Sequence, residues 1–331
     1  ADNISKSYTT FAVMQNAITT DIAFCQQLLK DNKLVAIPTE TVYGLAANAF
    51  NKEAVQRIFE MKGRPLFNPL IVHIHDIAQL QYLANDIPDK AMQLAKVFWP
   101  GALTLILSKN DSVPDIITAG KSTVGVRMPN HLVTLELLKG LDFPLAAPSA
   151  NPFTRVSPTS AQHVAHYFGD RIPAILDGGS CNVGLESTIV GFNGEHPVVY
   201  RKGGISIEAI EAVVGKVTLL TENETAPQAP GMLLKHYSPS TPLMISDDIQ
   251  KSLDIHTDKR IGILSFYADD FSGAQIIKVL SPTRNMEESA KALFATLHEL
   301  DELNLDLIIA ERFPEEGLGS SINDRLFRAQ N

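Results

Sequence analysis

Two basic side chains are fixed two residues apart in the segment MKGRP, where Lys62 and Arg64 flank Gly63. The run before them is typical of a helix, and Pro65 restricts the path by which the chain leaves the turn. Two cations held this close on a stiff turn suit an anion with several oxygens. A cation at a helix C-terminus also stabilises the helix dipole, which explains Lys62 but not the Gly-Arg-Pro turn. The pattern therefore favours an anion-binding site.

Two further cations lie in apolar strand patterns. Arg127 is part of TVGVRMP, and Arg201 ends the run PVVYR. A cation in an otherwise apolar strand needs an anionic partner. That partner is either an internal Asp or Glu or the carboxylate or phosphate of a ligand, and the sequence leaves both alternatives open.

Short polar segments follow two of the apolar runs. Residues 37–44, IPTETVYG, place Thr39, Glu40, Thr41, Tyr43 and Gly44 after a strand pattern. Residues 148–152, PSANP, hold Ser149 and Asn151 between two prolines. Ser and Asn also cap turns, so this second segment alone would not indicate a site. Together with the four cations, these strand ends predict a cleft that binds multiply charged small molecules.

The elements that must position these residues alternate between helix and strand patterns from residue 20 to about residue 215. Asn51 is expected to cap a helix that ends at Gly63. Many short strands separated by Gly and Pro predict a twisted mixed sheet with a concave cleft rather than a strictly repeating βαβ fold. We therefore expect an α/β catalytic domain over residues 1–217.

A proline-rich segment separates this domain from a second one. Residues 221–242 contain four prolines and no periodic apolar face, which is typical of a linker. Beyond it, four strand patterns and two or more helical runs predict a smaller Rossmann-like α/β domain. The expected boundaries are 218–242 for the linker and 243–331 for the small domain.

Composition narrows the class of protein. The 331 residues carry a formal net charge of −9, and residues 241–331 hold 9 basic against 16 acidic side chains. This acidity disfavours a nucleic-acid-binding role for the C-terminal part. Cys25 and Cys181 do not form a metal-type pair, and no apolar run approaches the length needed to cross a bilayer. With an N-terminus unlike a signal peptide, these features predict a cytoplasmic protein with reduced thiols and no membrane partner.

Several familiar motifs fail. ITAGKST ends like a phosphate-binding P-loop, but Asp115 stands where the first glycine is required, and GLGSSI does not complete a dinucleotide-binding fingerprint. Neither a nucleophile elbow nor an HExxH zinc motif is present. Two pairs of histidines have metal-compatible spacing, His73 with His75 and His163 with His166, but neither pair has an adjacent Cys or a cluster of acidic residues on the same element. Solvated or core histidines are the favoured interpretation of both pairs.

The motifs, taken in order, resemble one enzyme family. PTETVYGLAANA, MKGRPLFNPLIVHI, PGALTLIL, GVRMPNH, PSAN and ESTIV are similar to the signature blocks of the threonylcarbamoyl-adenylate synthases, also called YrdC-like proteins. APGMLLKHYSPSTP and GLGSSINDRLFRA resemble the linker and small C-terminal domain of the long form of that family. The resemblance spans about residues 20–331. One departure is Lys235, where the family usually has Arg.

The resemblance implies an activity. Members of this family condense L-threonine, bicarbonate and ATP to threonylcarbamoyl-AMP and pyrophosphate. The product is passed to a separate tRNA threonylcarbamoyl transferase complex, which modifies the adenosine beside the anticodon, and weak direct tRNA binding is compatible with this role. Mg²⁺ is the expected cofactor, bound mainly through the ATP phosphates. The sequence shows no protein ligand set for it, and Glu40 is only a weak candidate.

The resemblance also implies roles for individual residues. Lys62 and Arg64 would be the catalytic pair that neutralises the phosphates and the bicarbonate-derived carboxylate. Threonine would be bound by Thr41, Tyr43, Arg127 and Ser187, with Arg127 clamping the α-carboxylate. ATP would be bound by Lys62, Arg64, Ser149, Asn151, Arg201, His236 and Tyr237, the last two folding over the cleft from the linker. Gly44 would allow the backbone to approach threonine closely.

Three alternatives stay open at this point. A non-catalytic RNA-binding protein is disfavoured by the acidic charge and the lack of a lysine-rich stripe. A carbamoyltransferase of hydrogenase maturation contains a similar domain, but two distant cysteines cannot build the zinc fingers of those proteins. The C-terminal domain could also be an independent binding module.

Overall fold

The computed structural model describes residues 17–220, 229–232 and 236–330. Part of the predicted linker, residues 221–228, and the departure at Lys235 lie outside these ranges. Within the described residues the strands form two separate sheets, one of eleven strands and one of four. Each sheet is covered by helices. The predicted fold class, α/β with a large mixed sheet and a smaller second sheet, is confirmed.

The large sheet is built from short strands. In chain order they are β1 (Ile18–Thr19), β2 (Val35–Ile37), β3 (Gly44–Asn48), β4 (Ile71–His73), β5 (Leu103–Ser108), β6 (Thr123–Arg127), β7 (Leu145–Ala146), β8 (Ala174–Leu176), β9 (Thr188–Asn193), β10 (His196–Arg201) and β11 (Thr218–Leu219). Their spatial order is β1-β8-β2-β3-β7-β4-β6-β5-β9-β10-β11. The sheet is mixed, since β2 pairs antiparallel with β3 while β4 pairs parallel with β6.

Seven helices accompany these strands in the described part of the chain. They are α1 (Ile22–Lys30), α2 (Lys52–Lys62), α3 (Asp89–Phe98), α4 (Asp115–Thr118), α5 (Leu132–Lys139), α6 (Ala161–Phe168) and α7 (Ile207–Val214). Helix α2 begins and ends as predicted. The Asn51 side chain accepts a hydrogen bond from the Ala54 amide, and Gly63 ends the helix with a left-handed φ of 62°. This local chemistry fixes where Lys62 leaves the helix and Arg64 follows it.

The small sheet is entirely parallel. Its strands β12 (Leu243–Ser246), β13 (Ile261–Ser265), β14 (Ile276–Val279) and β15 (Leu307–Glu311) lie in the order β12-β15-β13-β14. Helices α8 (Ile249–Ile255), α9 (Met286–Asp301) and α10 (Leu318–Gln330) belong to the same unit. A parallel sheet is stable only when covered on both faces, and two separate apolar clusters on this sheet, around Phe294 and around Ile263, are consistent with that requirement.

The predicted domain boundaries of 1–217, 218–242 and 243–331 stay a prediction. In the structure the large sheet ends with β11 at Leu219, two residues beyond the first boundary, and the small sheet begins at Leu243. The apolar cluster of the small domain also includes Val42, Val156 and Leu185, which belong to the large domain. The two units therefore share a packed interface. No helix in the described ranges is long and apolar enough to cross a membrane.

Candidate active site

A cleft of the large domain gathers most of the predicted site residues. It lies where strands β2, β6, β7, β9 and β10 begin or end, and residues 229–237 of the linker contribute to its wall where they are described. Of the predicted residues, those that line it are Thr41, Arg64, Arg127, Ser149, Ser187, Arg201, His236 and Tyr237. Chain segments separated by up to about 200 residues are thereby brought to one site.

Two polar loops lie side by side in the wall of the cleft. The backbone of the 39–44 loop pairs with the 148–151 loop, because the Leu45 amide donates to Pro148 and the Ala150 amide donates to Tyr43. Thr39 holds its own loop together, since its Oγ1 donates to the Val42 carbonyl at 2.6 Å and accepts from the Val42 amide at 3.2 Å. The expectation that Thr39 is a turn residue agrees with these contacts, although Thr39 also lines the cleft.

Arg127 at the end of β6 has an internal anionic partner. Its Nη2 lies 2.7 Å from Oε1 of Glu40, and both side chains are about 5% exposed. Its Nη1 donates to Oγ1 of Thr41 at 2.8 Å, and its Nε donates to the Gly101 carbonyl at 3.2 Å. For Arg127, the alternative that the sequence left open is thus answered by an internal anion, Glu40. These contacts fix the guanidinium plane at the cleft wall.

Ser187 and Arg201 form a second unit of the wall. Ser187 Oγ and Thr104 Oγ1 are 2.7 Å apart and share a hydrogen bond. Arg201 donates from Nε and Nη2 to the Ser187 carbonyl, at 3.2 and 2.9 Å, and from Nη1 to the Pro230 carbonyl at 3.0 Å. Arg201 therefore joins the strand ends of β9 and β10 to the linker.

Arg64 is buried and its hydrogen bonds are to backbone carbonyls. Nε donates to Asn68 at 3.2 Å and Nη2 donates to Pro69 at 2.8 Å. Burial, and next the charge of Arg201, lower the pKa of Arg64 to about 9. A buried guanidinium whose protonated form is disfavoured in this way is one that an anionic ligand would stabilise.

Lys62 and Asn151 are not among the described side chains that line the cleft. Lys62 Nζ donates to the carbonyls of Ser149 and Asn151, both at 2.5 Å. Asn151 Nδ2 donates to the carbonyls of Pro152 and Arg155, at 3.0 and 2.9 Å. Both residues therefore shape the turn that presents Ser149. Burial, and next the charge of Arg64, hold the pKa of Lys62 well below its ordinary value.

The Tyr43 hydroxyl also faces away from the cleft. It donates to the Gly179 carbonyl at 2.8 Å and accepts from the Gly178 amide at 3.2 Å. Burial is the main cause that raises the pKa of this phenol. Tyr43 thus anchors the 39–44 loop to the loop after β8. Gly44 does line the cleft, and its closest approach within the protein is to Ala147, whose Cβ would lie 3.2 Å from a Cβ added at Gly44.

The linker residues contribute backbone as well as side chains. Gly231 has a φ of +79°, and a Cβ added there would lie 2.7 Å from the Tyr237 hydroxyl and 3.1 Å from Arg201. His236 packs against Tyr237 with ring centroids 4.0 Å apart. Burial, and next the charge of Arg64, lower the pKa of His236 well below its ordinary value. His236 is therefore a neutral ring at the edge of a cationic cleft.

Polar and linker residues that line the cleft but were given no binding role by the sequence reasoning include His73, Glu186, Pro230 and Gly231. Glu186 could have been found, because an acidic residue directly precedes Ser187 in the ESTIV segment. His73 was considered only for metal binding. Burial, and next the charge of Arg127, lower its pKa to about 3, so it is neutral near pH 7. The sequence at Pro230 and Gly231 indicated only a turn.

A resident metal has no ligand set here. Among the described residues, no group of three or more His, Cys, Asp or Glu side chains could hold a metal ion. The weak candidate Glu40 is paired with Arg127. His163 and His166 have a spacing compatible with a metal in the sequence. In the structure the His163 ring stacks on the His298 ring, with 4.0 Å between the ring centroids.

The charges around the cleft are unbalanced. Within the described ranges, Arg127 has an ion-pair partner, whereas Lys62, Arg64 and Arg201 have none, and all four are buried. A buried cation without a counter-charge costs several kcal/mol. The arrangement is therefore suited to an anion with more than one negative charge.

Comparison with known proteins agrees with this chemistry. Residues 27–203 match the Sua5, YciO and YrdC family model, described as telomere recombination, and residues 205–330 match the model described as the C-terminal domain of threonylcarbamoyl-AMP synthase. The second match begins before α7, inside the predicted first domain. Both models together cover nearly all of the described chain.

Individual relatives are similar over almost their full length. The chain is 44% identical to the threonylcarbamoyl-AMP synthase of Bacillus subtilis, covering 93% of this chain and 92% of the relative. It is 42% identical to the enzyme of the same name from Pyrococcus abyssi over 91% of each chain. A crystal structure of the Pyrococcus abyssi Sua5 protein with L-threonine superposes with a TM-score of 0.88, at 41% identity, over 93% of this chain and 94% of that chain. The chain therefore belongs to the Sua5 and YrdC family, in the form that carries the additional C-terminal domain.

Proposed function

We propose that the protein is an L-threonylcarbamoyladenylate synthase, a nucleotidyltransferase that condenses L-threonine, bicarbonate and ATP to threonylcarbamoyl-AMP and pyrophosphate. The observation that carries the assignment is a set of three buried cations, Lys62, Arg64 and Arg201, for which the described residues supply no ion-pair partner, inside a domain that matches this family throughout. The relatives named above carry this activity in their names, and one binds L-threonine.

The reaction demands positioning more than proton transfer by the protein. The amine of threonine attacks the carbon derived from bicarbonate, which loses water and gives a carbamate. A carbamate oxygen then attacks the α-phosphorus of ATP, and the bond to pyrophosphate breaks. Negative charge is crowded at every stage, so fixed cations and hydrogen-bond donors supply most of the rate enhancement.

The amino-acid end of the cleft is assigned to Thr41, Arg127 and Ser187. The proposal is supported by the fixed plane of Arg127, whose Nε, Nη1 and Nη2 each have one partner, Gly101, Thr41 and Glu40. Each η nitrogen carries a second proton, and together these suit the two oxygens of an α-carboxylate. Tyr43 is proposed to act indirectly, through the loop that it anchors.

The nucleotide end is assigned to Arg64, Ser149 and Arg201, with Lys62 and Asn151 fixing the turn of Ser149. Arg64 and Arg201 are close enough to perturb each other's environment, since the charge of Arg201 contributes to lowering the pKa of Arg64. Two guanidinium groups that repel each other gain stability when phosphate oxygens lie between them. We propose that this gain is part of the binding energy for ATP.

The linker is proposed to close the site. His236 and Tyr237 lie against the cleft, and Pro230 is held by Arg201. These groups must move aside for ATP to enter and return to exclude water, which would otherwise hydrolyse the mixed anhydride.

The proposal also covers the metal cofactor, the downstream partner and the location of the protein. Because no ligand set for a metal is found among the described side chains, Mg²⁺ is expected to enter on the ATP phosphates. The product is handed to a tRNA threonylcarbamoyl transferase complex, and any direct contact with tRNA is weak. A cytoplasmic location is supported by Cys25 and Cys181, both buried free thiols.

A pyrophosphate assay tests the assignment. Release from ATP is measured with and without L-threonine and bicarbonate, and the nucleotide product is identified by mass spectrometry. Wild type is expected to require both co-substrates, and Lys62→Ala to lose most of the activity because the Ser149 turn loses its anchor. Pyrophosphate release that does not depend on threonine would contradict the proposal. Retention of RNA with a steep salt dependence, by a protein that leaves ATP intact, would establish the RNA-binding alternative instead.

A further inference from the structure

The last helix of the small domain packs against segments that form the wall of the cleft in the large domain. Helix α10 donates from Ser321 Oγ to the Gly203 carbonyl at 2.9 Å and from Arg328 Nη1 to the Met232 carbonyl at 3.1 Å. The His236 amide donates to the Arg328 carbonyl at 3.2 Å. One helix therefore contacts the end of β10 and both described linker segments.

Arg325 lies at the centre of this contact and is fully buried. Its Nε donates to Oε2 of Glu186 at 2.8 Å, and its Nη2 donates to the Lys202 carbonyl at 2.8 Å. Its guanidinium carbon lies 5.0 Å from the centre of the Tyr237 ring. Glu186 and Tyr237 both line the cleft. A residue of the small domain thus touches two residues of the cleft wall, Glu186 of the large domain and Tyr237 of the linker.

Glu186 needs a counter-charge where it stands. It is buried, and its other oxygen accepts a hydrogen bond from Ser157 Oγ at 2.5 Å. The next residue, Ser187, belongs to the proposed amino-acid end. An unpaired carboxylate in the wall would repel ATP, bicarbonate and pyrophosphate through a low-dielectric region. Arg325 is the ion-pair partner that prevents this. Burial acts to lower the pKa of Arg325, but Tyr237, Glu186 and Asp324, whose Oδ2 accepts from Arg325 Nη1 at 2.6 Å, raise it overall, so Arg325 stays charged.

We infer that Arg325 is a positioning residue that neutralises Glu186 and supports Tyr237, so that the anion site of the large domain is complete only with the small domain in place. The inference rests on the proposed function for its substrates. It makes the small domain part of the binding site rather than an independent module.

A merely structural ion pair and a charge-neutralising one predict different kinetics. Threonine is a zwitterion with no net charge, whereas ATP carries several negative charges. Loosening of the domain interface would weaken the binding of both substrates alike. An exposed Glu186 charge would act mainly on ATP and pyrophosphate.

The test compares Arg325→Met with the double variant Arg325→Met/Glu186→Gln in the full-length protein. We expect Arg325→Met to raise the KM for ATP about tenfold or more, with a change in the KM for threonine of less than about threefold. Removing the Glu186 charge in the double variant should return the KM for ATP to within about threefold of wild type. Arg312→Met is the matched control, because Arg312 pairs with Asp247 on the surface of the same domain.

Several outcomes would overturn the inference. They are an unchanged KM for ATP in Arg325→Met, an equal rise for both substrates, and a double variant no better than the single one. If Arg325→Met shows no cooperative unfolding transition, it is not properly folded, and Glu186→Gln alone then tests the inference. Its amide oxygen still accepts from Arg325 while the negative charge is lost, so ATP should bind about two- to threefold more tightly, and weaker binding would overturn the inference.

Binding of inorganic pyrophosphate separates this inference from the proposed function. Isothermal titration of wild type and Arg325→Met with pyrophosphate needs no turnover. If wild type shows no threonine-dependent pyrophosphate release, the proposed function fails, while about tenfold weaker pyrophosphate binding by Arg325→Met would still support the role of Arg325. If wild type is active but both proteins bind pyrophosphate equally, the inference alone fails.

Discussion

Two groups of cations around the cleft differ in how their charge is balanced. At the amino-acid end, Arg127 is paired with Glu40 at 2.7 Å. At the nucleotide end, Arg64 and Arg201 donate to neutral acceptors, and neither has an ion pair in the described part of the chain. The first end is thus nearly neutral and the second is positive. The difference matches the ligands proposed for them, a zwitterionic amino acid and a polyanionic triphosphate.

The comparison also explains why the two ends should respond differently to mutation. A balanced end depends on the direction of its hydrogen bonds, whereas a positive end depends first on its charge. The following variants are ordered from the largest expected effect to the smallest.

Removing charge at the nucleotide end should have the largest effect. Arg64→Ala is expected to lower kcat/KM for ATP about 100- to 1000-fold, because it removes a fixed cation from a reaction that crowds negative charge. The pyrophosphate assay measures this loss. Arg64→Lys keeps the charge without the planar fork and should lose only about tenfold. If Arg64→Lys were as inactive as Arg64→Ala, shape rather than charge would govern this end.

Arg127→Met is expected to raise the KM for threonine about 30-fold, roughly 2 kcal/mol, with the KM for ATP changed less than about threefold. Because this variant leaves Glu40 buried without a partner, Arg127→Met/Glu40→Gln is measured beside it to separate binding from stability. Lys109→Met is the control, since Lys109 pairs with the exposed Asp115. An unchanged KM for threonine in both Arg127 variants would remove Arg127 from the amino-acid end.

Gly231→Ala tests the cover over the nucleotide end. The added Cβ would meet the Tyr237 hydroxyl and Arg201 on a backbone with a φ of +79°, so the KM for ATP should rise about tenfold. Gly273→Ala carries the same backbone strain, at a φ of +83°, with nothing within 4 Å of the new Cβ. Equal kinetic effects of the two variants would show that the close approach at Gly231 does not matter for ATP.

Tyr43→Phe should have the smallest kinetic effect. It removes a hydroxyl that donates to the Gly179 carbonyl, which should lower the free energy of unfolding by about 1 kcal/mol. The KM for threonine should change less than about twofold. Thermal unfolding measures the loss of stability, and threonine kinetics measure the change in KM. A tenfold rise in the KM for threonine would restore the direct contact that the sequence predicted.

Local chemistry explains how much of the fold the sequence predicted. Asn51 caps the first turn of α2 and Gly63 ends its last turn. The bounds of the helix and the position of Lys62 were therefore predictable from neighbouring residues alone. The mixed sheet followed from many short strand patterns. Arg127 and Arg201 were identified as candidate anion-binding residues because a charged side chain in an apolar strand has no partner among its neighbours in the sequence.

Partner choice across the chain could not be predicted in this way. Arg127 selects Glu40, which is 87 residues away, and Lys62 turned toward carbonyls 87 and 89 residues away instead of the cleft. The sequence assigned no role to Arg325, yet this side chain is fully buried against Glu186. Such pairings depend on the packing of two domains, and a pattern in one segment carries no signal for them.

The burial of Arg325 against Glu186 has a consequence for the newly synthesised chain. The large domain leaves the ribosome more than a hundred residues before Arg325 does, and domains generally fold as units in the order of their synthesis. Until α10 docks, the nascent large domain carries an uncompensated carboxylate in its anion site and should bind ATP poorly. Docking of α10 thereby couples folding of the small domain to nucleotide binding by the large domain.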